Sequence, residues 1–192
     1  MKFKKLFAGV AAAATLLAGM AFGTGAANAA ETTVDTAATV TFKASKEKQL
    51  TSARLSAYKI ADYVNYGTAK TPVYGVKTAA GANRTKLAAA LTTAGFQNVP
   101  IDGTTDLMAW AMNQKTTTDT DGTVTQVQFD QSETRPWNDP SVTRKFADAL
   151  QAGNPFTAAA DPFVLNKATG NDTNGWIATN KTVLTAGVYL FL

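Results

Sequence analysis

Stretches of alternating apolar and polar residues stand near both ends of the chain, and each predicts a half-buried β-strand. In residues 39–44 the apolar side chains of Val40, Phe42 and Ala44 share one face, while Lys43 lies on the other. Further strands are predicted at residues 55–64, 73–76, 124–129, 163–165, 176–179, 182–184 and 187–192. A charged turn is predicted at residues 46–49 and an Asp-Gly hairpin turn at residues 120–123.

The middle of the chain changes to the helical period. A helix is predicted over residues 84–94, with Asn83 as its N-cap and Gly95 as its end. Its buried positions, which recur at helical spacing, are Leu87, Ala90, Leu91 and Ala94. A second helix is predicted over residues 105–114, capped by Thr104 or Thr105. Its buried face consists of Leu107, Trp110, Ala111 and Gln114.

A third helix is predicted after the loop 131–138. Asp139 is its expected cap, Pro140 takes the first helical position, and Gly153 ends it. Its apolar stripe consists of Val142, Phe146, Ala149 and Leu150. Strands early, helices in the middle and strands late predict an α+β domain or a β-sandwich with helical insertions. We find no internal repeat and no linker that divides the chain.

The N-terminus has the three parts of a secretory signal peptide. A basic head precedes the apolar residues 6–22, and residues 27–29 (Ala-Asn-Ala) supply the small side chains that a signal peptidase recognises. Cleavage is therefore predicted between Ala29 and Ala30. The alternative is a membrane anchor, but the apolar run is Gly-rich and shorter than the about 20 strongly apolar residues of a stable span. We expect no stable membrane span after cleavage.

Cleavage divides the chain into a signal peptide (1–29), a flexible leader (30–37) and one domain (38–192). It also changes the charge balance. Three of the 18 Lys and Arg residues lie in the signal, whereas all 14 acidic residues lie outside it; 15 basic residues then face 14 acidic ones, and the net charge falls from +4 to +1. The high pI of 9.3 therefore reflects the export signal, and we expect no nucleic-acid partner.

The chain contains neither Cys nor His. Disulfides, thiolate metal sites, the Ser-His-Asp arrangement and ordinary zinc sites are thereby excluded. We expect no catalytic residue, no cofactor and no metal, although a catalytic pair of carboxylates stays open. An exported protein without Cys is typical of a Gram-positive bacterial surface.

The last six residues, GVYLFL, are apolar except for the Tyr hydroxyl. Chain termini are normally exposed and frayed, so we expect the chain to be a fragment of a longer protein. The alternative is a final strand that is buried between two neighbouring strands.

Two segments carry a resemblance to a known family. Residues 55–61 (LSAYKIA) are similar to the AYQIF-type strand of Gram-positive fimbrial subunits, and residues 184–191 (LTAGVYLF) are similar to the L-x-x-G-x-Y-L strand that closes their first domain. Residues 38–192 therefore resemble the N-terminal region of a sortase-assembled, isopeptide-forming pilin subunit of actinobacteria such as bifidobacteria. The resemblance implies an α+β, mainly-β Ig-like sandwich with a helical insertion. The sorting signal and the pilin motif with its Lys, which lie beyond the first domain in the family, are absent from these residues.

Related domains contain an intramolecular Lys–Asn isopeptide bond. This bond needs a neutral, buried Lys amine that faces a carboxamide, with a carboxyl group nearby. The resemblance makes Lys43 and Asn180 the natural pair, with Glu133 as the acid. Strand alternation, however, turns Lys43 away from the side of Val40 and Phe42, and Asn180 lies in a predicted turn. We therefore expect a solvated Lys43, a turn Asn180 and no bond.

Two other groups of side chains are candidates for binding. Asp119, Asp121 and Asp130 begin a calcium-loop pattern, but no Glu closes it, and an ordinary Asp-Gly turn is favoured. Trp137, in a Pro-flanked loop, and Tyr66 are the candidate surface aromatics for a glycan or a matrix protein. Core packing is the default for the other large aromatic residues.

These features predict an exported cell-surface fimbrial (pilus) subunit domain, secreted to the cell wall or fimbrium, with a structural and adhesive role and no catalysis. The expected partners are other pilin subunits, and sortase if a full-length form carries a sorting signal. A host glycan or matrix protein is a candidate partner. The alternative function is a stand-alone secreted module that binds glycan or matrix protein, and an enzyme is the third hypothesis.

Overall fold

A computed structural model of the chain describes residues 32–34, 37–53, 55–130, 141–153 and 162–191. The strands are β1 (Thr32–Thr33), β2 (Ala37–Ala38), β3 (Thr41–Ala44), β4 (Leu55–Asn65), β5 (Tyr74–Thr78), β6 (Thr117–Thr118), β7 (Val124–Gln126), β8 (Pro162–Phe163), β9 (Thr169–Asn171), β10 (Gly175–Thr179), β11 (Leu184–Thr185) and β12 (Gly187–Phe191). The helices are α1 (Glu47–Thr51), α2 (Arg84–Ala94), α3 (Leu107–Met112) and α4 (Val142–Gly153). The signal peptide with Ala29 and Ala30, together with Glu133, Trp137, Asp139, Pro140 and Leu192, lies outside the described residues.

The protein is an α+β fold built around the long strand β4. This strand pairs with β1, β5, β8 and β12, in each case antiparallel. A second sheet has the order β3-β10-β9, and β2 pairs with β11. Helices α2, α3 and α4 and the β6–β7 hairpin lie in sequence between β5 and β8. The predicted order of strands, helices and strands is therefore confirmed.

The first core lies between the β4 sheet and the β3-β10-β9 sheet. Val40 and Phe42 of the β3 segment are buried in it, and Thr41 and Lys43 are exposed, as the alternation predicts. The ring of Phe42 meets the ring of Phe191 edge to face, with 5.5 Å between their centroids. This contact joins one strand of each sheet within the first core.

The second core lies between the other face of the β4 sheet and the helices. Helix α2 buries its predicted face there, including Leu87 and Leu91, which are fully buried. The side chain of Asn83 accepts a hydrogen bond from the Lys86 N–H at 3.1 Å, and Gly95 ends the helix with a φ of 109°. The prediction for this helix is confirmed at both ends.

A β-bulge in β4 changes which side chains share a face. Tyr189 lies opposite Lys59, whereas the preceding residue of β12, Val188, lies opposite Ala61, so Ile60 is the extra residue. Residues three positions apart in a regular strand point to opposite faces. The bulge brings Lys59 and Asp62 to the same face, which the alternation of residues 55–64 does not predict.

Several local predictions need correction. Residues 46–49 were predicted as a turn, but α1 begins at Glu47, because Leu50 is buried and the Gln49 side chain accepts a hydrogen bond from the Lys46 N–H at 3.0 Å. The described part of the predicted leader 30–37 contains β1 and the first residue of β2.

The caps of two helices also differ from the prediction. Helix α3 is capped by Asp106 instead of Thr104 or Thr105, because the Asp106 side chain accepts the Ala109 N–H. Helix α4 begins at Val142, and its first turn is capped by the Ser141 hydroxyl, which accepts a hydrogen bond from the Arg144 N–H at 3.0 Å. In each case the cap is the residue directly before the helix, whose short side chain accepts a hydrogen bond from a backbone N–H of the first turn.

Candidate functional site

A half-buried polar cluster lies where β4 meets β11 and β12. Lys59 forms an ion pair with Asp62, and the Lys59 Nζ donates a hydrogen bond to the Thr185 hydroxyl at 2.7 Å. The same Nζ lies 5.8 Å from the ring centroid of Tyr189, whose hydroxyl donates to the Thr185 carbonyl at 2.9 Å. We call Lys59, Asp62, Thr185 and Tyr189 the Lys59 cluster.

The bulge and one glycine make the Lys59 cluster compact. Lys59 and Tyr189 are directly opposite each other in the ladder, and Asp62 is opposite Gly187. A Cβ atom on Gly187 would lie 2.5 Å from the Ala61 carbonyl oxygen and 2.6 Å from the Lys59 Cε. Only glycine fits this approach of β12 to β4.

The Lys59 cluster contains an ion pair that is partly shielded from water. The side chains of Lys59 and Asp62 are 24% and 26% exposed, so the pair is less hydrated than an ordinary surface ion pair. The ammonium group donates to Thr185 and faces the negative face of the Tyr189 ring. These contacts join β4 to β11 and β12 through side chains in addition to the backbone ladder.

The structure does not bring Lys43 and Asn180 together. Lys43 is exposed and lies opposite Ile177 of β10. The Asn180 N–H instead bonds to the Val40 carbonyl, and the Asn180 side-chain oxygen accepts the Val40 N–H at 2.7 Å. Its amide nitrogen donates to the Thr182 carbonyl at 2.8 Å. Asn180 therefore extends the pairing of β3 and β10 beyond the last strand residue, while the third residue of the predicted set, Glu133, lies outside the described residues.

Tyr66 packs against a strand instead of standing free. A Cβ atom on Gly75 would lie 2.8 Å from the Tyr66 ring, so the ring covers the Gly75 backbone, and the Tyr66 hydroxyl donates to the Val76 carbonyl at 3.4 Å. Nearby Tyr74 is 40% exposed. Two aromatic residues were candidates for binding at the surface. The ring of Tyr66 is half-buried, and Trp137 lies outside the described residues.

The Asp residues of the calcium pattern fall into two separate places. Asp119 and Asp121 both accept the Thr123 N–H in the β6–β7 hairpin, where Gly122 has a φ of 86°. Hydrogen bonds lower the pKa of Asp121 to about 2, and the bond with Asp119 has a larger effect than those from Thr123. Asp130 instead accepts the Thr143 N–H at the start of α4. The Asp-Gly turn is confirmed, and the described part of the chain contains no cluster of acidic side chains suited to a metal ion.

A shallow groove of about 410 Å³ lies between α2 and the loop 99–103. Arg84 borders it and pairs with Asp102 at 3.5 Å. Hydrogen bonds from Thr105, then from Thr104, hold the pKa of Asp102 well below its usual range and order the loop. The loop holds Ile101 in solvent, where this residue is 90% exposed.

Sequence reasoning missed the Lys59 cluster. The segment YKIAD does contain a signal, namely two opposite charges three residues apart in an otherwise apolar strand. In a regular strand those charges would lie on opposite faces, and one of them would enter a core without a partner. A bulge between Lys59 and Asp62 removes that conflict.

No family model, curated protein or solved structure matches the chain. In the described part of the chain, none of the helices combines the length and the apolar character that a membrane crossing requires. A functional assignment therefore rests on the residues and their arrangement.

Proposed function

We propose that this chain is the N-terminal domain of a sortase-assembled fimbrial subunit, exported to the cell surface, with a structural and adhesive role and no catalysis. One observation carries most of this proposal. The two segments that resemble the family are neighbours in the fold, because residues 57–62 of β4 pair with residues 187–191 of β12. Segments that lie more than 120 positions apart in sequence thus form one structural unit.

The residues of the closing-strand pattern L-x-x-G-x-Y-L each have a structural role here. Leu184 and Leu190 are buried, one in each core. Gly187 allows β12 to approach β4, and Tyr189 closes the Lys59 cluster. A pattern whose every specified residue is used in packing supports the resemblance better than the letters alone.

We propose further that the two facing sheets form an Ig-like sandwich. The core around Phe42 and Phe191 supports this reading, since it is built from the inner faces of both sheets. Helices α2 to α4 then form an insertion that covers the outer face of the β4 sheet. The proposed partners are other pilin subunits, and sortase in a form that carries a sorting signal.

The proposal is tested in the bacterium that produces the protein. Antibodies against residues 38–192 should detect a ladder of large, SDS-resistant species in cell-wall extracts, because sortase joins subunits covalently. Deletion of the sortase gene should collapse this ladder to one band. A single soluble species in the medium of both strains would contradict the proposal and favour the stand-alone secreted module.

A further inference from the structure

Strands β1 and β2 form a strap on the rest of the described domain. We define the strap as β1 with Val34, together with β2. β1 pairs with the end of β4, where Thr32 lies opposite Asn65. β2 pairs with β11, where Ala37 lies opposite Thr185. The strap therefore bridges two strands that belong to the body of the domain.

The strap lies on the same edge of β4 as the end of the chain. The carbonyl of Tyr63 accepts the Val34 N–H at 2.9 Å, and the N–H of Tyr63 donates to the Ala186 carbonyl at 3.5 Å. Both backbone groups of one residue in an antiparallel strand point to the same edge. The strap thus continues, in one line, the pairing that β12 makes with β4.

The side chains of the strap are much more exposed than those of the edge on which it lies. Thr32, Thr33 and Ala37 are exposed and Val34 is only partly buried. The residues beneath, including Val64 and Leu184, are buried. Apolar burial is the main source of stability, so the strap is held chiefly by backbone hydrogen bonds. Segments with few buried contacts open at lower free energy than the domain as a whole.

We propose that the edge formed by residues 63–65 and by β11 is a strand-addition site, and that a second copy of this chain occupies it with its own strap. Exchange between copies replaces the bonds of the strap with identical bonds in trans, so it has little intrinsic cost. A backbone ladder is also the usual way in which an extended segment joins an open sheet edge. The exposed side chains of Thr32, Thr33 and Ala37 leave the backbone ladder as the main contact that a second copy must reproduce. A role for this strap exchange in fimbrial assembly rests on the proposed function, whereas the exchange itself does not.

The experiment uses the absence of Cys from the chain. Thr32→Cys and Asn65→Cys are made in separate copies of the mature protein, which are mixed under mild oxidation. Paired Cα atoms in an antiparallel ladder stand about 4.5–5.5 Å apart, which suits a disulfide. A mixed disulfide between positions 32 and 65, mapped by peptide mass, should form at least about tenfold faster than one between Thr32→Cys and Thr118→Cys, because seating raises the local thiol concentration.

Two controls separate strand exchange from chance collision. Val34→Pro removes the N–H that bonds to Tyr63 and should abolish the faster linkage, whereas Val34→Ala keeps that N–H and should retain it. A second pair, Ala37→Cys mixed with Thr185→Cys, repeats the test in case the Asn65 variant folds poorly. Linkage no faster than with Thr118→Cys in both pairs, or equal linkage in the two Val34 variants, would overturn the proposal. The sortase experiment can fail while this one succeeds, so the two conclusions are tested separately.

Discussion

Replacing Gly187 by Ala should force apart two strands that the fold holds in very close contact. The new Cβ would lie 2.5 Å from the Ala61 carbonyl oxygen and 2.6 Å from the Lys59 Cε. The Lys59 side chain can turn away, but the carbonyl belongs to the ladder of β4 and cannot move by itself. β12 must therefore shift away from β4, and the contacts of the Lys59 cluster shift with it.

Forced overpacking of this kind typically costs about 1–3 kcal/mol, and we expect the free energy of unfolding to fall by that amount. The melting temperature should fall by about 2–4 °C for each kcal/mol in a domain of this size. Gly153→Ala is the matched control, because a Cβ there, at the end of α4, meets none of the described residues within 4 Å. We expect this control to be neutral or to stabilise the protein by about 0.4–1 kcal/mol.

Urea unfolding, followed by circular dichroism and by Trp fluorescence, gives both free energies. The double variant Gly187→Ala with Lys59→Ala separates the two contacts. Because the backbone oxygen is the nearer atom, truncating Lys59 should not restore stability. The reasoning is refuted if Gly187→Ala unfolds within about 0.5 kcal/mol of the parent, which is the usual range of a harmless surface change. It is equally refuted if Lys59→Ala fully rescues the variant.

Four further predictions concern other parts of the chain. The exported protein should begin at Ala30, and N-terminal sequencing that finds the signal still attached would contradict this. Asn180→Ala removes two backbone partners and should lower the free energy of unfolding by about 1–3 kcal/mol in urea, a cost that an unchanged midpoint would disprove. Intact mass should equal the plain sequence mass, and a loss of one ammonia that disappears in Lys43→Ala would show an isopeptide bond. The pKa of Asp102 is held below 3.8, chiefly by Thr105, so its contribution to stability is present above that pH and is lost as the pH falls through the lowered value. Asp102→Asn should flatten the fall of the melting temperature below about pH 4, and identical pH profiles would contradict this.

Sequence patterns correctly predicted the features that depend only on residues close together in the chain. The helix α2 begins after Asn83 and ends at Gly95 as expected, because a capping side chain and a left-handed glycine act within one turn of the helix. The faces of β3 are also as expected, because strand alternation needs only neighbouring residues. Local rules were less successful for α1, where one buried residue, Leu50, turns an apparent charged loop into a helix.

The bulge at Ile60 could not be predicted from the residues of β4 alone. It exists because β4 must satisfy three demands, namely the register with β12, a core on each face and a partner for Lys59. The register is set by β12, and the core on the helix side includes Leu87 and Leu91 of α2, so two of the three demands come from residues outside β4. The Lys59 cluster, which depends on the bulge, was missed for the same reason, and so was the strap, whose exposed small residues have no apolar pattern of their own.

The sequence by itself determined the α+β class, the order of strands and helices, the parity of β3 and the boundaries of α2, because periodicity and capping are properties of short segments. Only the tertiary structure decided that β4 is the common partner of the first and last strands, that Asn180 extends a strand pair while Lys43 stands in solvent, and that β4 carries a bulge. These features follow from pairing between segments that are distant in sequence, where register is set by both cores at once and no single segment contains the information.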